Sequence, residues 1–408
     1  MTTPPRPRVP RNVLILGLVA LASGFGQDLI TPVLPAYLLM IGVDHAGIGL
    51  IDGMLQGATQ VFRFVSGVLS DRFSARKRFV FLGYALSSVS RPLLALSGGF
   101  ASALGLRLAD GVGKGMKDAP RDALVADSAT EETRGRAFGF HRLIDTAGSV
   151  FGPLTAGAIL LALTPSLASY RAIFLLSAIP GAAALALIMF GIREPERPGA
   201  RATSAAAKLT PKFWIFTAAM SIAMLTKMND SLFLARTQEV GVPAAWIPVI
   251  FAGFMLIYAA LSYPLGAWSD RVGRLPLIAA GWLLLAAVEL GFGLLKSVPS
   301  VLVLLACYGG FYALTEGSGR AMVADLAPPE ARGTAYAVFY VSVGLAVILG
   351  GFGLGRLWDA VSPASAFIVS SGGSLIGGLL FLTMAIGSRG PGNEKIPAQL
   401  SEDDFKRT

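Results

Sequence analysis

The sequence holds one cysteine, Cys307, and two histidines among 408 residues. A single thiol has no intrachain disulfide partner and builds no thiolate metal cage. Charge is equally scarce, at 14% of residues, against about 25% in an average soluble protein. So few charges cannot cover the surface of a soluble chain of this size. No HExxH, CxxC or GxSxG pattern occurs, which leaves metal and nucleophile chemistry without support. Apolar types, by contrast, make up 54%, and 48 glycines add about another 12%. That composition excludes a disordered chain, a collagen and a disulfide scaffold, and it predicts a polytopic membrane protein.

A helical span needs about 20 apolar residues. Twelve such runs are legible, at 13–40, 48–70, 79–97, 100–126, 137–163, 171–191, 213–237, 245–268, 275–295, 299–325, 334–359 and 364–387. The N-terminal run also resembles a cleavable signal, with Arg6, Arg8 and Arg11 before it. Its apolar character continues to Met40, which favours a retained span. Trp214, Trp246 and Trp358 fall near span ends and read as interface anchors.

The net charge of +9 raises nucleic acid as a partner. The location of the charges argues against it. The N-terminus, the loops after even-numbered spans and the tail carry 21 Lys/Arg, whereas the odd-numbered loops carry three: Arg171, Arg236 and Lys296. The positive-inside rule then predicts both termini in the cytoplasm, a lipid bilayer as partner and no nucleic acid.

The two halves of the chain repeat. Ala123-x-Val125-Ala126-Asp127 falls 198 residues before Ala321-x-Val323-Ala324-Asp325, and nine of the fifteen positions 123–137 are identical at that offset. Gly67 and Asp71-Arg72 fall 199 before Gly266 and Asp270-Arg271. The predicted organisation is a six-helix bundle at 1–191, a cytoplasmic linker at 192–212, a second bundle at 213–387 and a cytoplasmic tail at 388–408. Parallel repeats of this kind are a transporter plan.

At these residues the chain resembles the major facilitator superfamily, whose loop between spans 2 and 3 reads G-x-x-x-D-R-x-G-R-K. Here the matching residues are Gly67, Asp71, Arg72, Arg76 and Lys77, with Ser74-Ala75 where one glycine is usual. The second copy keeps Gly266, Asp270, Arg271, Gly273 and Arg274. The resemblance covers nearly the whole chain. It implies an all-α fold of twelve transmembrane helices in two pseudo-symmetric bundles, a monomer, and a gate latch at this loop. Read without the resemblance, the same residues are topology anchors beside short loops.

Twenty ionisable groups lie within or at the edges of spans, ten of each sign. Each costs at least about 2.5–3.5 kcal/mol at a bilayer centre, so the interior must hold a polar cavity or close ion pairs. Span 4 is densest. Arg107, Asp110, Lys114, Lys117, Asp118 and Arg121 follow steps of mainly three or four and share one helix face. They line a path or form a self-neutralised ladder. Arg107-x-x-x-Gly111-x-Gly113 resembles the superfamily's span-4 motif, which implies a role for Arg107 in proton coupling.

The repeat relates Asp28 in span 1 to Lys227 in span 7, and Asp118 to Glu316 in span 10. Asp28 and Lys227 are thus candidate opposed charges. They read either as a carboxyl that binds and releases a proton or as a permanent bridge. Asp230 and Arg320 lie one turn beyond Lys227 and Glu316 and are candidate partners within their helices. Tyr308 and Tyr312, one turn apart in span 10, are candidate cavity residues, with Tyr258 and Tyr263 in span 8 as further aromatics. His141, with Asp145 one turn on, reads as a hydrogen-bonded core histidine or a proton relay.

Gly148-x-x-x-Gly152-Pro153-x-x-x-Gly157 in span 5 permits close helix approach. It also resembles the superfamily's antiporter motif, with Gly152 and Pro153 in gating positions and Ala156 in place of a glycine. Pro32, Pro35 and Tyr37 resemble the P-x-x-P-x-Y pattern of span 1, and Pro32 removes the helix partner of the Asp28 carbonyl.

The expectation is a transporter of the bacterial inner membrane rather than an enzyme or receptor. It needs no cofactor, takes a proton as coupling ion, and resembles the proton-coupled drug and metabolite antiporters. Efflux of a small molecule is the first reading. Uptake of an organic anion or a metal chelate such as a siderophore, by symport or facilitated diffusion, is the second.

Overall fold

The computed structural model describes residues 10–73, 75–130, 133–194, 209–328 and 331–387, the side chains at 71, 134 and 270 excepted. The tail 388–408, most of the linker 192–212, and the side chains of Asp71 and Asp270 lie outside the described residues. All described regular structure is helical. Span 1 is Arg11–Asp28 and, after an interruption, Leu34–Met40; span 2 is His45–Arg72; span 3 is Arg76–Leu93 with a 3-10 turn Leu94–Leu96; span 4 is Phe100–Asp127. Span 5 is Arg134–Ala162; span 6 is Leu167–Leu176 with Ala178–Gly191; span 7 is Pro211–Thr226 with Asp230–Glu239; span 8 is Ile247–Val272. Span 9 is Arg274–Leu294, span 10 Val298–Leu326, span 11 Arg332–Ala360 and span 12 Pro363–Gly387.

Eight of these are long and apolar enough to cross a membrane on length and composition alone. Spans 1, 2, 4 and 7 are not among them. Spans 1 and 7 are shortened by their interruptions, and spans 2 and 4 carry ionisable side chains on a buried face.

The packing repeats with the sequence. In the first half span 1 packs on 5 and 6, span 4 on 2 and 3, and span 3 on 6. In the second half span 7 packs on 11 and 12, span 10 on 8 and 9, and span 9 on 12. Two six-helix bundles therefore share one arrangement. Span 2 on 11 and span 5 on 8 join the bundles.

Local chemistry explains the turns. Gly42 and Gly241, 199 residues apart, both take positive φ, at 81° and 106°, a conformation that glycine adopts without steric cost. Gly273 does the same at φ 94° and ends span 8 in the second signature loop. The span 1 interruption follows from Pro32, which has no N–H to donate. In the turn before it, Thr31 donates both its N–H, at 3.1 Å, and its hydroxyl, at 3.0 Å, to the Gln27 carbonyl. The span 7 interruption, Lys227–Asn229, contains neither proline nor glycine. Its freed Met228 N–H is taken by Glu289 Oε1 at 3.1 Å and Ser370 Oγ at 3.0 Å.

Trp214 and Trp246 are half exposed, as expected at a lipid interface. Trp358 is a correction. It is 4% exposed, and its ring stacks on His45 at 4.6 Å. It therefore packs between the bundles rather than at lipid.

Candidate functional site: a cavity between two bundles

The bundles meet tightly at the face bearing the loop between spans 1 and 2. Spans 2 and 11 cross there on small residues: a Cβ added to Gly53 would fall 2.9 Å from the Ile348 Cα, and one on Gly57 3.1 Å from the Gly344 carbonyl. Only glycine lets the backbones approach so closely. Asp359 of span 11 accepts from the Ala46 N–H at 2.8 Å and lies 2.7 Å from His45 Nδ1. A carboxylate from one bundle thus caps a helix N-terminus of the other. His45 Nε2 also lies 3.7 Å from Glu239 of span 7.

The bundles part toward the opposite face, which bears the basic loops. A cavity of about 700 Å3 opens between them, reaching Gly67 and Asp122 at one edge and Gly333 and Tyr336 at the other. Its walls hold Asp28, Lys114, Asp118, Glu316 and Arg320 of the sequence candidates. Asp28 accepts from Gln27 and Thr31 at 3.3 Å each. Among the described residues neither Asp28 nor Lys114 makes an ion pair. Asp118 is held by Arg63, by Lys117 at 3.3 Å and by Arg121 at 3.5 Å. Its repeat partner Glu316 is held by Arg320 and by the Tyr258 hydroxyl.

Other candidates are elsewhere. Arg107 is 3% exposed and pairs with Asp110 at 3.0 Å, while Arg91 takes the other Asp110 oxygen at 3.1 Å. That buried triad does not line the cavity. Asp28 and Lys227 are not brought together. The Lys227 ammonium donates to Tyr308 at 2.9 Å and Asp230 at 3.3 Å, and Tyr312 donates to Asp230 at 2.8 Å. Lys227 and Tyr312 line a second compartment of about 200 Å3, while Asp230 and Tyr308 are packed behind it. Gly152 lies against the span 1 backbone at Phe25–Leu29, with Pro153 buried beside it. His141 is 5% exposed and has no partner on Nε2 among the described residues, and Tyr263 is 86% exposed on the outer surface.

The loop signatures form matched pairs. Arg76 bonds Asp127, and Arg274 bonds Asp325, both members displaced by 198. A Cβ added to Gly67 would meet Ala119 of span 4 at 3.4 Å; Gly67 lines the main cavity, and Gly266 lines a smaller recess beside it. Arg72 and Arg271 are exposed.

Several contacts escaped the sequence reading. Arg142 of span 5 donates to the Tyr258 hydroxyl of span 8 at 2.8 Å, bridging the bundles inside the cavity. Arg63 lies 5.8 Å over the Tyr340 ring, another such bridge. Asn229 in the span 7 break donates to the Gly49 carbonyl of span 2 at 3.0 Å. The His45–Asp359 contact joins residues 314 apart. Glu289, fully buried, and Asp52, whose Oδ2 has no partner among the described residues, belong to the ten intramembrane acids that the sequence counts without assigning each a role.

The family profile described as Major Facilitator Superfamily matches residues 16–235 and again 215–404. The chain is 32% identical over 380 residues to an uncharacterised MFS-type transporter of Methanocaldococcus jannaschii, covering 91% of this chain and 94% of the relative. It is 28% identical over 326 residues to the multidrug resistance protein MdtH of Enterobacter sp., covering 77% and 78%. A solved POT family transporter in complex with a thioalcohol-conjugated peptide superposes with a TM-score of 0.77 at 13% identity, covering 93% and 97%. With profile matches to both halves and a relative similar along nearly its whole length, the chain belongs to the Major Facilitator Superfamily of membrane transporters.

Proposed function

We propose that this transporter exports a small charged organic molecule in exchange for protons, by rocking its bundles about the cavity. The positive-inside rule makes the basic face the cytoplasmic one, and that orientation supports reading the cavity as inward-open in an inner membrane. One observation carries the reading. Asp28, 5% exposed, sits on the cavity wall at the span 1 interruption with neutral donors and, among the described residues, no ion pair. A carboxyl so placed changes charge at the cost of little rearrangement, and its state depends on whether water reaches the cavity from one face or the other. The likeness to MdtH supports the export direction.

Reconstituted protein tests it. Substrate accumulation in proteoliposomes should require a pH gradient of the sense that drives antiport. Accumulation with the reversed gradient would instead establish symport. That outcome fits the second reading, uptake of an organic anion or chelate, which the cationic Lys114, Arg142 and Arg320 on the cavity wall favour.

A further inference from the structure

The main cavity has a side compartment of different chemistry. It holds about 200 Å3 inside the second bundle, against span 2. Its wall is chiefly thioether, aromatic and branched aliphatic: Met220, Met224, Phe311, Phe339, Val343 and Val347. Arg320, Glu316 and Tyr340 line both spaces, so they form the sill between them.

The size of the compartment is informative. An apolar cavity of about 150 Å3 accepts a benzene ring. A space of about 200 Å3 takes one ring or a short branched chain, not a large drug scaffold. Methionine adapts its shape to varied aromatic guests.

The main cavity has the sign of its charge bias. Six basic side chains line it against five acidic ones. The most exposed cations at the bundle junction are Arg142, at 58%, and Arg320, at 49%, while their partners Asp145 and Glu316 are 27% and 33% exposed. The guanidinium forks therefore have donors left to offer, and the carboxylates have less to give. Guanidinium groups favour planar carboxylate and phosphate oxyanions.

We infer that the substrate is an amphipathic organic anion, with an oxyanion head at Arg142 and Arg320 and a ring-sized apolar end in the compartment walled by Met224 and Val347. This rests on the transport reading above and names the ligand class of the same cavity. It also gives the span 7 interruption a purpose. Lys227 reaches the compartment, and Asn229 two residues on grips Gly49 of span 2 across the bundle junction. A guest in the compartment thus touches the segment that ties the two bundles together.

A congener series tests the inference by equilibrium binding to the purified full chain in nanodiscs. The probes are 3-phenylpropionate, propionate, 3-phenylpropanol and 3-phenylpropylamine. The phenyl acid should bind at least about tenfold tighter than propionate, from its buried apolar area at about 25 cal/mol per Å2. It should also bind tighter than the alcohol, and the amine should bind weakest. Val347→Phe should remove the advantage of the phenyl group while leaving propionate unchanged. Met224→Ala should shift preference toward a naphthyl acid. Arg320→Gln should narrow the gap between acid and alcohol. Thermal unfolding of each variant separates a filled compartment from a misfolded chain. Tightest binding of the amine, equal binding of phenyl acid and propionate, or no binding by any member to folded protein would overturn the inference. Ordered binding without proton-dependent transport would leave the inference standing and remove the coupling proposed above.

Discussion

His45 Nδ1 lies 2.7 Å from Asp359 Oδ1, and the same carboxylate accepts from the backbone N–H of Ala46. One acidic side chain in the second bundle thus holds a histidine and a helix end of the first. The indole of Trp358 covers the imidazole at 4.6 Å. Every part of this contact must break when the bundles part on that face. Asp359→Ala should therefore favour the outward-open state. Each charge-assisted bond is worth about 1.5–3 kcal/mol, so the open fraction should rise by roughly tenfold or more. Distances between spin labels at positions 42 and 361, in a Cys307→Ser background, would measure the shift. An unchanged distribution would show that the latch holds nothing.

The crossing of spans 2 and 11 makes a steric counterpart. A Cβ on Gly53 meets backbone atoms of Ile348 at 2.9 Å, which rigid helices cannot relieve by a side-chain rotation. Gly53→Val should block closure on this face without harming the outward-open form. The expected outcome is normal expression, loss of transport, and labels at 42 and 361 locked at the longer distance. A variant that transports at the normal rate would mean that the crossing loosens freely.

The loop pairs Arg76–Asp127 and Arg274–Asp325 repeat across the halves but differ in exposure. The first pair is 13% and 28% exposed, the second 28% and 52%. Solvent screens the second more, and exposed pairs are worth about 0–1 kcal/mol. Double-mutant cycles on thermal unfolding should give the larger coupling for Arg76 with Asp127. Equal or reversed couplings would show that exposure does not set the strength of these pairs.

These pairs show how far the sequence could be read. The repeat offset of 198 equates Arg76 with Arg274 and Asp127 with Asp325, and the span limits follow from apolar runs that end within a few residues of the observed helices. The span 1 interruption was legible because Pro32 states it locally. The span 7 interruption was not. Lys-Met-Asn is an unremarkable helical tripeptide, and the break exists because Glu289 and Ser370, 61 and 142 residues away, accept the freed Met228 N–H. The same limit governs Asp28 and Lys227. A repeat shows that two positions are equivalent, which is not contact. Lys227 is held on its own side by Asp230 and Tyr308. The span 4 stripe was one face in sequence and two environments in space: Lys114, Lys117, Asp118 and Arg121 line the cavity, while Asp110, paired with Arg107 and with Arg91 of span 3, does not.

The Lys227 cluster makes its own prediction. Asp230 receives Lys227, Tyr308 and Tyr312, and the ammonium lies 5.4 Å from the Tyr312 ring centroid. Removing one member of this partly buried pair leaves the other uncompensated, at a cost below the roughly 3–5 kcal/mol of a fully buried pair. Lys227→Met should lower the unfolding temperature sharply, and Lys227→Met with Asp230→Asn should recover most of the loss. Failure of the double variant to recover would mean that the lysine acts through the compartment wall and not through the pair.

The proposed coupling role of Asp28 can be tested directly. An asparagine keeps the shape and can still accept from Gln27 and Thr31, which lie 3.3 Å from the carboxyl, but it cannot exchange a proton. If Asp28 is the coupling site, Asp28→Asn should abolish accumulation driven by a pH gradient while counterflow of substrate continues, because counterflow needs the cavity and the rocking motion alone. Lys114→Met should behave differently. It removes a cation from the same cavity and should weaken anion binding while leaving the transport that remains dependent on the gradient. Both variants belong in one proteoliposome experiment, since a merely misfolded cavity would lose counterflow in both. Full gradient-driven accumulation by Asp28→Asn would move the proton to another acid, and Asp52, buried one turn from Gly49 with no partner on Oδ2 among the described residues, would be the next to replace.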